Sequence, residues 1–174
     1  LEELRYMMYY SESFKGPLAI RYPRGTDEKG YVPEPLKEFT PGKFEVMQEG
    51  GDGYLYATGK MVARAVRVSE ILKEKGYDFG VVNGCFIKPV DHKLIKSHLD
   101  KGLKIITLED NMLHGGFGSM ILESAMGHFM AGNIMRFGFD DKFVEQGTAE
   151  LLYEAYGLGF DEIVKKIINF TGEK

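Results

Sequence analysis

The sequence predicts an α/β fold, an open sheet covered by helices on both faces, and three observations carry that expectation. Short β-prone runs alternate with segments of helical period over about 130 residues, the order in which crossovers build such a sheet. Several junctions between them hold glycine or proline, the strongest local breakers. Of the 174 residues 44% are hydrophobic, near the globular average, so a packed core can form.

Taken in order, Leu1 to Phe14 places Leu4, Met7, Met8, Tyr9, Tyr10 and Phe14 around most of a helix, which therefore needs cover on several sides. Gly16-Pro17 breaks it. Leu18 to Tyr22 is a short β-prone run closed by Pro23 and Gly25, and this opening unit reads as the tail of something larger. Thr26 to Pro41 is charged and proline-bearing without a period, as a surface linker would be. Lys43–Gln48 alternates like a strand, Glu49–Gly53 turns, and Tyr54–Thr58 is a second strand, so a hairpin is the economical reading. The turn is too short for a parallel crossover, so the first strand is expected to run antiparallel to the rest. Val62, Ala65, Val66, Ser69 and Leu72 fall at helical spacing opposite Arg64, Arg67, Glu70 and Lys73, and Gly76 ends that helix. Asp78–Val82 is a strand, Asp91 caps a short helix after Pro89, and Leu103–Leu108 is a β-branched strand. Gly115-Gly116 leads into a helix over Phe117–Met130, followed by a strand at Ile134–Phe137. Two helices finish the chain, one after Thr148 and one carrying Ile163, Val164, Ile167 and Ile168.

Charge and cysteine content narrow the function classes. With 22 Lys+Arg against 26 Asp+Glu, a net charge of −4, there is no broad basic field for nucleic acid. A single cysteine, Cys85, forms no internal disulfide, which points to a reducing compartment and to the cytoplasm. No run approaches the roughly 18 apolar residues of a membrane span, and Leu1-Glu2-Glu3-Leu4-Arg5 lacks the order of a signal peptide.

Several motifs have a chemical look. Gly116-Phe117-Gly118 follows a strand and opens a helix like a dinucleotide fingerprint, but Ile121 stands where the third glycine belongs, so a tight strand-to-helix turn is the better reading. Gly53–Met61 fails as a phosphate-binding loop, its glycines one residue too far apart and Met61 replacing the magnesium-binding hydroxyl. Gly51-Asp52-Gly53 followed by Asn83 imitates the motif by which thiamine-diphosphate enzymes hold magnesium. If the two strands concerned are parallel neighbours, however, Asp52 and Asn83 lie about 17 Å apart at about 3.3 Å per residue, and Gly51-Asp52-Gly53 is only a hairpin turn. His92, His98, His114 and His128 show no metal-ligand spacing, and Glu109-Asp110 and Asp140-Asp141 read as solvated turns. His114 stands at a strand-to-helix turn where clefts open, although structure is its default role. Cys85, with no base beside it, reads as a buried thiol. In Arg21-Tyr22-Pro23-Arg24-Gly25 two guanidinium groups flank a stiffened strand exit, a grouping suited to phosphate or to surface ion pairs.

Four blocks in order resemble one family. Gly16-Pro17-Leu18-Ala19-Ile20-Arg21-Tyr22-Pro23-Arg24-Gly25, Val82-Asn83-Gly84-Cys85-Phe86-Ile87-Lys88-Pro89-Val90-Asp91, Thr107–Asn111 with Gly115–Ser119, and Phe143–Gly147 look like the C-terminal portion of the 1-deoxy-D-xylulose-5-phosphate synthases of the transketolase superfamily. Cys85 departs from the arginine that family commonly carries. The resemblance implies that 1–25 end the pyrimidine-binding middle domain, 26–41 link, and 42–174 form a transketolase C-terminal domain. Its fold would be a three-layer α/β/α sandwich with a mixed sheet whose first strand is antiparallel. It further implies a homodimeric enzyme using thiamine diphosphate and Mg2+ to condense pyruvate with glyceraldehyde 3-phosphate, releasing CO2, for isoprenoid, thiamine and pyridoxal synthesis. The cofactor and catalytic residues of that family belong to segments absent from this sequence, so 1–174 is expected to be inactive alone and to bind neither cofactor nor metal. Arg24 maps onto the family's phosphate-gripping arginine, and Arg21 assists or is structural. Two other readings are the equivalent domain of a transketolase or 2-oxo-acid dehydrogenase β chain, opposed by the Tyr22–Gly25 block, and a free-standing Rossmann-like module, opposed by the missing third glycine and the orphaned first helix.

Overall fold

The computed structural model describes residues 2–23, 40–126 and 131–172. After helix α1 (Glu2–Ser13), five strands form one sheet: β1 (Glu45–Gln48), β2 (Gly53–Ala57), β3 (Phe79–Asn83), β4 (Lys104–Met112) and β5 (Ile134–Phe139). Helices α2 (Met61–Glu74), α3 (His92–Asp100), α4 (Phe117–Met126), α5 (Ala149–Ala155) and α6 (Phe160–Thr171) follow or separate them. The strand order is β1-β3-β2-β4-β5, with β2 to β5 parallel and β1 antiparallel to β3. This is the mixed sheet between helical layers that the sequence predicts.

Period-two alternation sorts the side chains. Leu55, Ala57, Val81, Ile106, Leu108 and Phe137 face α2, α5 and α6, whose Ala65, Val68, Leu72, Tyr153, Ile163 and Ile167 complete one core. Tyr54, Tyr56, Val82 and Ile105 face the other way, against Ile95 and Leu99 of α3 and Phe117, Ile121 and Ala125 of α4. Each such aliphatic side chain taken from water stabilises by about 1.5–3 kcal/mol, which is why a strand buried on both faces is apolar throughout. Each core also holds buried polar groups. Arg64 of α2, 2% exposed, donates to Leu158 O at 3.0 Å and to Glu150 at 3.0 Å, and its guanidinium lies over the rings of Tyr153 and Phe160. On the other face Tyr56 OH and His98 Nδ1 are 2.8 Å apart, and His98 stacks on Tyr54.

The expected helix ends form: Asp91 accepts from Leu94 N at 3.1 Å and from Phe44 N at 3.2 Å, and Gly76 takes φ +86° just past α2, while Thr148 adds a cap to α5. Two expectations are corrected. The hairpin does not exist, because β3 lies between β1 and β2. The short link passes beneath the start of β3, and only glycine fits there: a Cβ on Gly50 would stand 2.0 Å from Gly80 N. The first strand is antiparallel as foreseen, but its partner is β3. Leu18–Tyr22 forms no strand, having no ladder partner among the described residues, and a lone strand is unstable in water.

Candidate functional site

Asn83, Ala57, Leu108 and Phe137 lie in one row, where β2 and β3 end while β4 and β5 run on to Met112 and Phe139. Ligands of open α/β sheets sit beyond that row where the strand order reverses, here at β2 and β4. In this chain its own side chains take those places. Gly84 N donates to Ala57 O at 2.7 Å, and the ring of Phe117 presses on Gly84 so closely that a Cβ there would stand 2.4 Å from Phe117 Cζ.

Beside it is a carboxylate cradle. Past Leu108 the pairing of β4 with β5 loses its register, and this irregular stretch carries Glu109, which is 0% exposed. Glu109 Oε2 accepts from Phe117 N at 2.7 Å and Oε1 from Gly118 N at 2.8 Å, so it caps the first turn of α4. A Cβ on Gly116 would stand 2.1 Å from Glu109 Oε2, and one on Gly118 2.6 Å from Thr107 Oγ1. The glycines that resemble a dinucleotide fingerprint therefore make room for Glu109, and the anion that helix N-terminus attracts is the chain's own carboxylate. Burial pushes the Glu109 carboxyl above its ordinary value, while the Gly118 and Phe117 N–H groups and the charges of Arg136 and Arg21 pull it back. Arg136 also donates to Leu113 O at 3.2 Å and Ser119 Oγ at 3.0 Å, pinning the turn between β4 and α4. Reading Glu109 as solvated is thus a correction; its neighbour Asp110 is the exposed one. The signal in the sequence was a carboxylate eight residues ahead of a glycine-flanked helix start that lacked the third glycine of a true phosphate loop.

At the opposite end of the sheet, the other glycine motif is also spent internally. Asp52 accepts from Asp78 N at 2.6 Å, Asp52 N donates to Asp78 O at 2.9 Å, and Gly51 N donates to Asp78 Oδ2 at 2.8 Å. Asn83, at the far end of β3, donates to Glu3 Oε1 at 2.8 Å. With Gly53 paired to Phe79 and Ala57 to Asn83, Asp52 and Asn83 flank the full length of the strands. Magnesium ligands must all lie about 2.1 Å from the ion. Asp52 and Asn83 therefore do not share a magnesium site, and among the described residues no group of three or more His, Cys, Asp or Glu could hold a metal ion.

The remaining candidates are placed as follows. Arg24 lies outside the described residues, as does His128. Arg21 is exposed, within electrostatic reach of Glu109. His114 is exposed on the pinned turn, His98 is buried, and His92 Nδ1 sits 2.6 Å from Ser124 Oγ. Cys85 is half-buried; it donates to Lys43 O at 3.3 Å, and burial pushes its thiol up to about 12, the opposite of an activated nucleophile. Among the described residues no helix is long and apolar enough to cross a membrane.

Comparison with known proteins fits this geometry. Residues 42–163 match the family model described as transketolase, C-terminal domain. The chain is 39% identical over 170 residues to the 1-deoxy-D-xylulose-5-phosphate synthase of Clostridium acetobutylicum (strain ATCC 824), covering 98% of this chain and 28% of that protein. To the protein of the same name from Clostridium botulinum (strain Alaska E43) it is 40% identical over 169 residues, 97% of this chain and 27% of that one. The chain thus spans a little over a quarter of the length of these curated relatives. Among solved structures, "Split gene transketolase, inactive beta4 tetramer" superposes with a TM-score of 0.70 at 28% identity, covering 81% of this chain and 48% of that one. A transketolase from Campylobacter jejuni, at TM-score 0.55 and 16% identity over 79% of this chain and 20% of that one, shares the fold.

Proposed function

The chain belongs to the transketolase C-terminal domain family, and from that premise we propose that it is the C-terminal part of a 1-deoxy-D-xylulose-5-phosphate synthase. The observation that carries the proposal is identity near 40% over almost the whole chain to curated relatives that share this one name. The complete enzyme condenses pyruvate with glyceraldehyde 3-phosphate and releases CO2, with thiamine diphosphate and magnesium supplying the chemistry from residues outside this chain. Residues 1–25 close the middle domain, 26–41 link, and 42–174 are the C-terminal domain. The domain alone is inactive, a reading supported by the separation of Asp52 from Asn83 and by the inactive state named for the split transketolase. The complete enzyme is a cytoplasmic homodimer. Met8, Tyr9 and Phe14 are 56%, 65% and 38% exposed, apolar surface that a neighbouring domain or protomer would cover. Sedimentation of 1–174 as a strict monomer at high concentration would count against that cover coming from self-association.

Arg24 holds the substrate phosphate in this reading. Its warrant is the match of Tyr22-Pro23-Arg24-Gly25 to the family block, with a planar guanidinium suited to a dianion. Arg24→Ala in the complete protein should raise KM for glyceraldehyde 3-phosphate about ten- to a hundredfold, the equivalent of roughly 1.5–3 kcal/mol for a charge-assisted contact. Unphosphorylated glyceraldehyde and the decarboxylation of pyruvate should be largely spared. Equal losses with both aldehydes would show that Arg24 supports the fold and does not read phosphate.

A further inference from the structure

Helix α1 rests on the end of the sheet through a polar contact in an apolar seam. Asn83 closes β3 and is 5% exposed; its Nδ2 donates to Glu3 Oε1 at 2.8 Å. Farther along the helix, Tyr10 meets Phe86 edge-on with ring centroids 6.5 Å apart. One atom of this contact is unsatisfied: Asn83 Oδ1 is buried and has no hydrogen-bond partner. An ionised Glu3 cannot supply one, since a carboxylate only accepts. A protonated Glu3 can. Its O–H is then the donor that Asn83 Oδ1 lacks, and acid and amide close a ring of two hydrogen bonds. Burial also pushes the Glu3 carboxyl above its ordinary value, with the Asn83 bond pulling it back. Other ionisable groups near the contact include Cys85, Glu45 and Arg5. Cys85, on the loop after β3, feels the Glu3 charge, and Glu45 on β1 acts on the same thiol; both are neutral or negative. Arg5, on α1 itself, lies with its guanidinium over the ring of Tyr6.

We propose that Glu3 and Asn83 form a protonated carboxyl–carboxamide pair that docks α1 on the end of β3, so that seating of this helix is linked to uptake of one proton. Under the domain reading above, the pair joins the middle domain to the C-terminal one, but the inference itself needs only the contact within this chain. Docking is then complete below the pKa of an exposed glutamate, about 4.3, and is lost as pH rises through the higher value of the docked group.

Hydrogen exchange of α1 backbone amides in 1–174, expressed as protection factors and referenced to amides of β2 and β4, tests this. In the wild type, α1 protection should fall by up to tenfold per pH unit above about pH 4.5, the slope of one proton, while the strand amides stay level. Glu3→Gln keeps the shape and carries its own N–H donor for Asn83 Oδ1; its α1 protection should be flat with pH and equal to or above the acid value of the wild type. Cys85→Ser should leave the wild-type slope in place. A flat wild-type profile, the same slope in Glu3→Gln, or no α1 protection at any pH would each overturn the proposal. None of these outcomes touches the Arg24 assay, so the failure of one reading is distinguishable from failure of the other.

Discussion

Two glycine-rich turns bracket the sheet, and both imitate cofactor motifs. At the N-terminal ends of the strands, Gly50–Gly53 looks like part of a magnesium–diphosphate site; at the C-terminal ends, Gly115–Gly118 looks like part of a dinucleotide site. Each is satisfied by the chain's own acids. Asp52 and Asp78 trade hydrogen bonds in partly solvated surroundings, whereas Glu109 is sealed under α4 with three glycines at van der Waals limits. The difference teaches that a glycine motif reports close backbone approach to an anion or a chain, and that only the partner's identity separates a binding loop from a structural one. Water decides how much each turn matters: the Asp52–Asp78 exchange can be replaced by solvent, and the Glu109 cradle cannot.

The largest expected effect tests that contrast directly. Glu109→Ala strands two helix donors in a dry site and should cost roughly 2–6 kcal/mol in urea unfolding, from about 1–3 kcal/mol for each buried N–H left unpaired. Asp52→Ala loses one side-chain acceptor, keeps the backbone bond to Asp78, and should cost about 1 kcal/mol. Equal losses would erase the distinction between the turns. The glycines give a second comparison. A Cβ on Gly116 meets Glu109 Oε2 at 2.1 Å and Met112 O at 2.3 Å, so Gly116→Ala should cost about 1–3 kcal/mol or more. At Gly51 the nearest atom is the exposed Asp78 Oδ2 at 3.2 Å, and Gly51→Ala should stay within about 0.5 kcal/mol.

Acidity should separate the two ends in sign, the smallest effect. Next to the N-terminal turn, Tyr54 donates to Glu49 and stacks on His98, whose pKa is lowered by burial and by Lys101. The unfolded chain therefore binds a proton first, and the contribution of His98 is lost as pH falls below about 6.5 toward the folded value. Glu109 has a raised pKa, so its contribution is present below about 4.3 and declines as pH rises through the folded value. Melting temperature against pH should lose its slope just below pH 6.5 in His98→Asn and its opposing slope above about pH 4.3 in Glu109→Gln. If both variants changed the same limb, one of the two assignments would be wrong.

Much of this was legible beforehand, for reasons that can be located. The β-prone run at Tyr54–Thr58 and helical spacing at Val62–Leu72 are local, and the structure keeps both. The antiparallel sense of β1 followed from link length alone. Its neighbour did not, because pairing is decided by which strand slides between β1 and β2, a long-range event that Gly50 permits without announcing. Asp91 was recognisable as a cap since its partner lies three residues on. Glu109 caps a helix from eight residues upstream, outside any local capping pattern, and so passed for a surface acid. For the site, the sequence block around Arg24 says more than the fold does, as Arg24 falls outside the described residues.

Phe117 has one further consequence. Its ring, 1% exposed, is flanked by Phe44 at a centroid distance of 5.8 Å and backed by the bare Gly84. A flat hydrocarbon would find the same walls if the ring were cut away, because apolar voids of that kind stay dry and accept small aromatic guests. Phe117→Ala should therefore cost about 3–5 kcal/mol, and benzene should restore part of the loss. In that sense the sheet already contains a receptor, and one of its own residues is the resident guest.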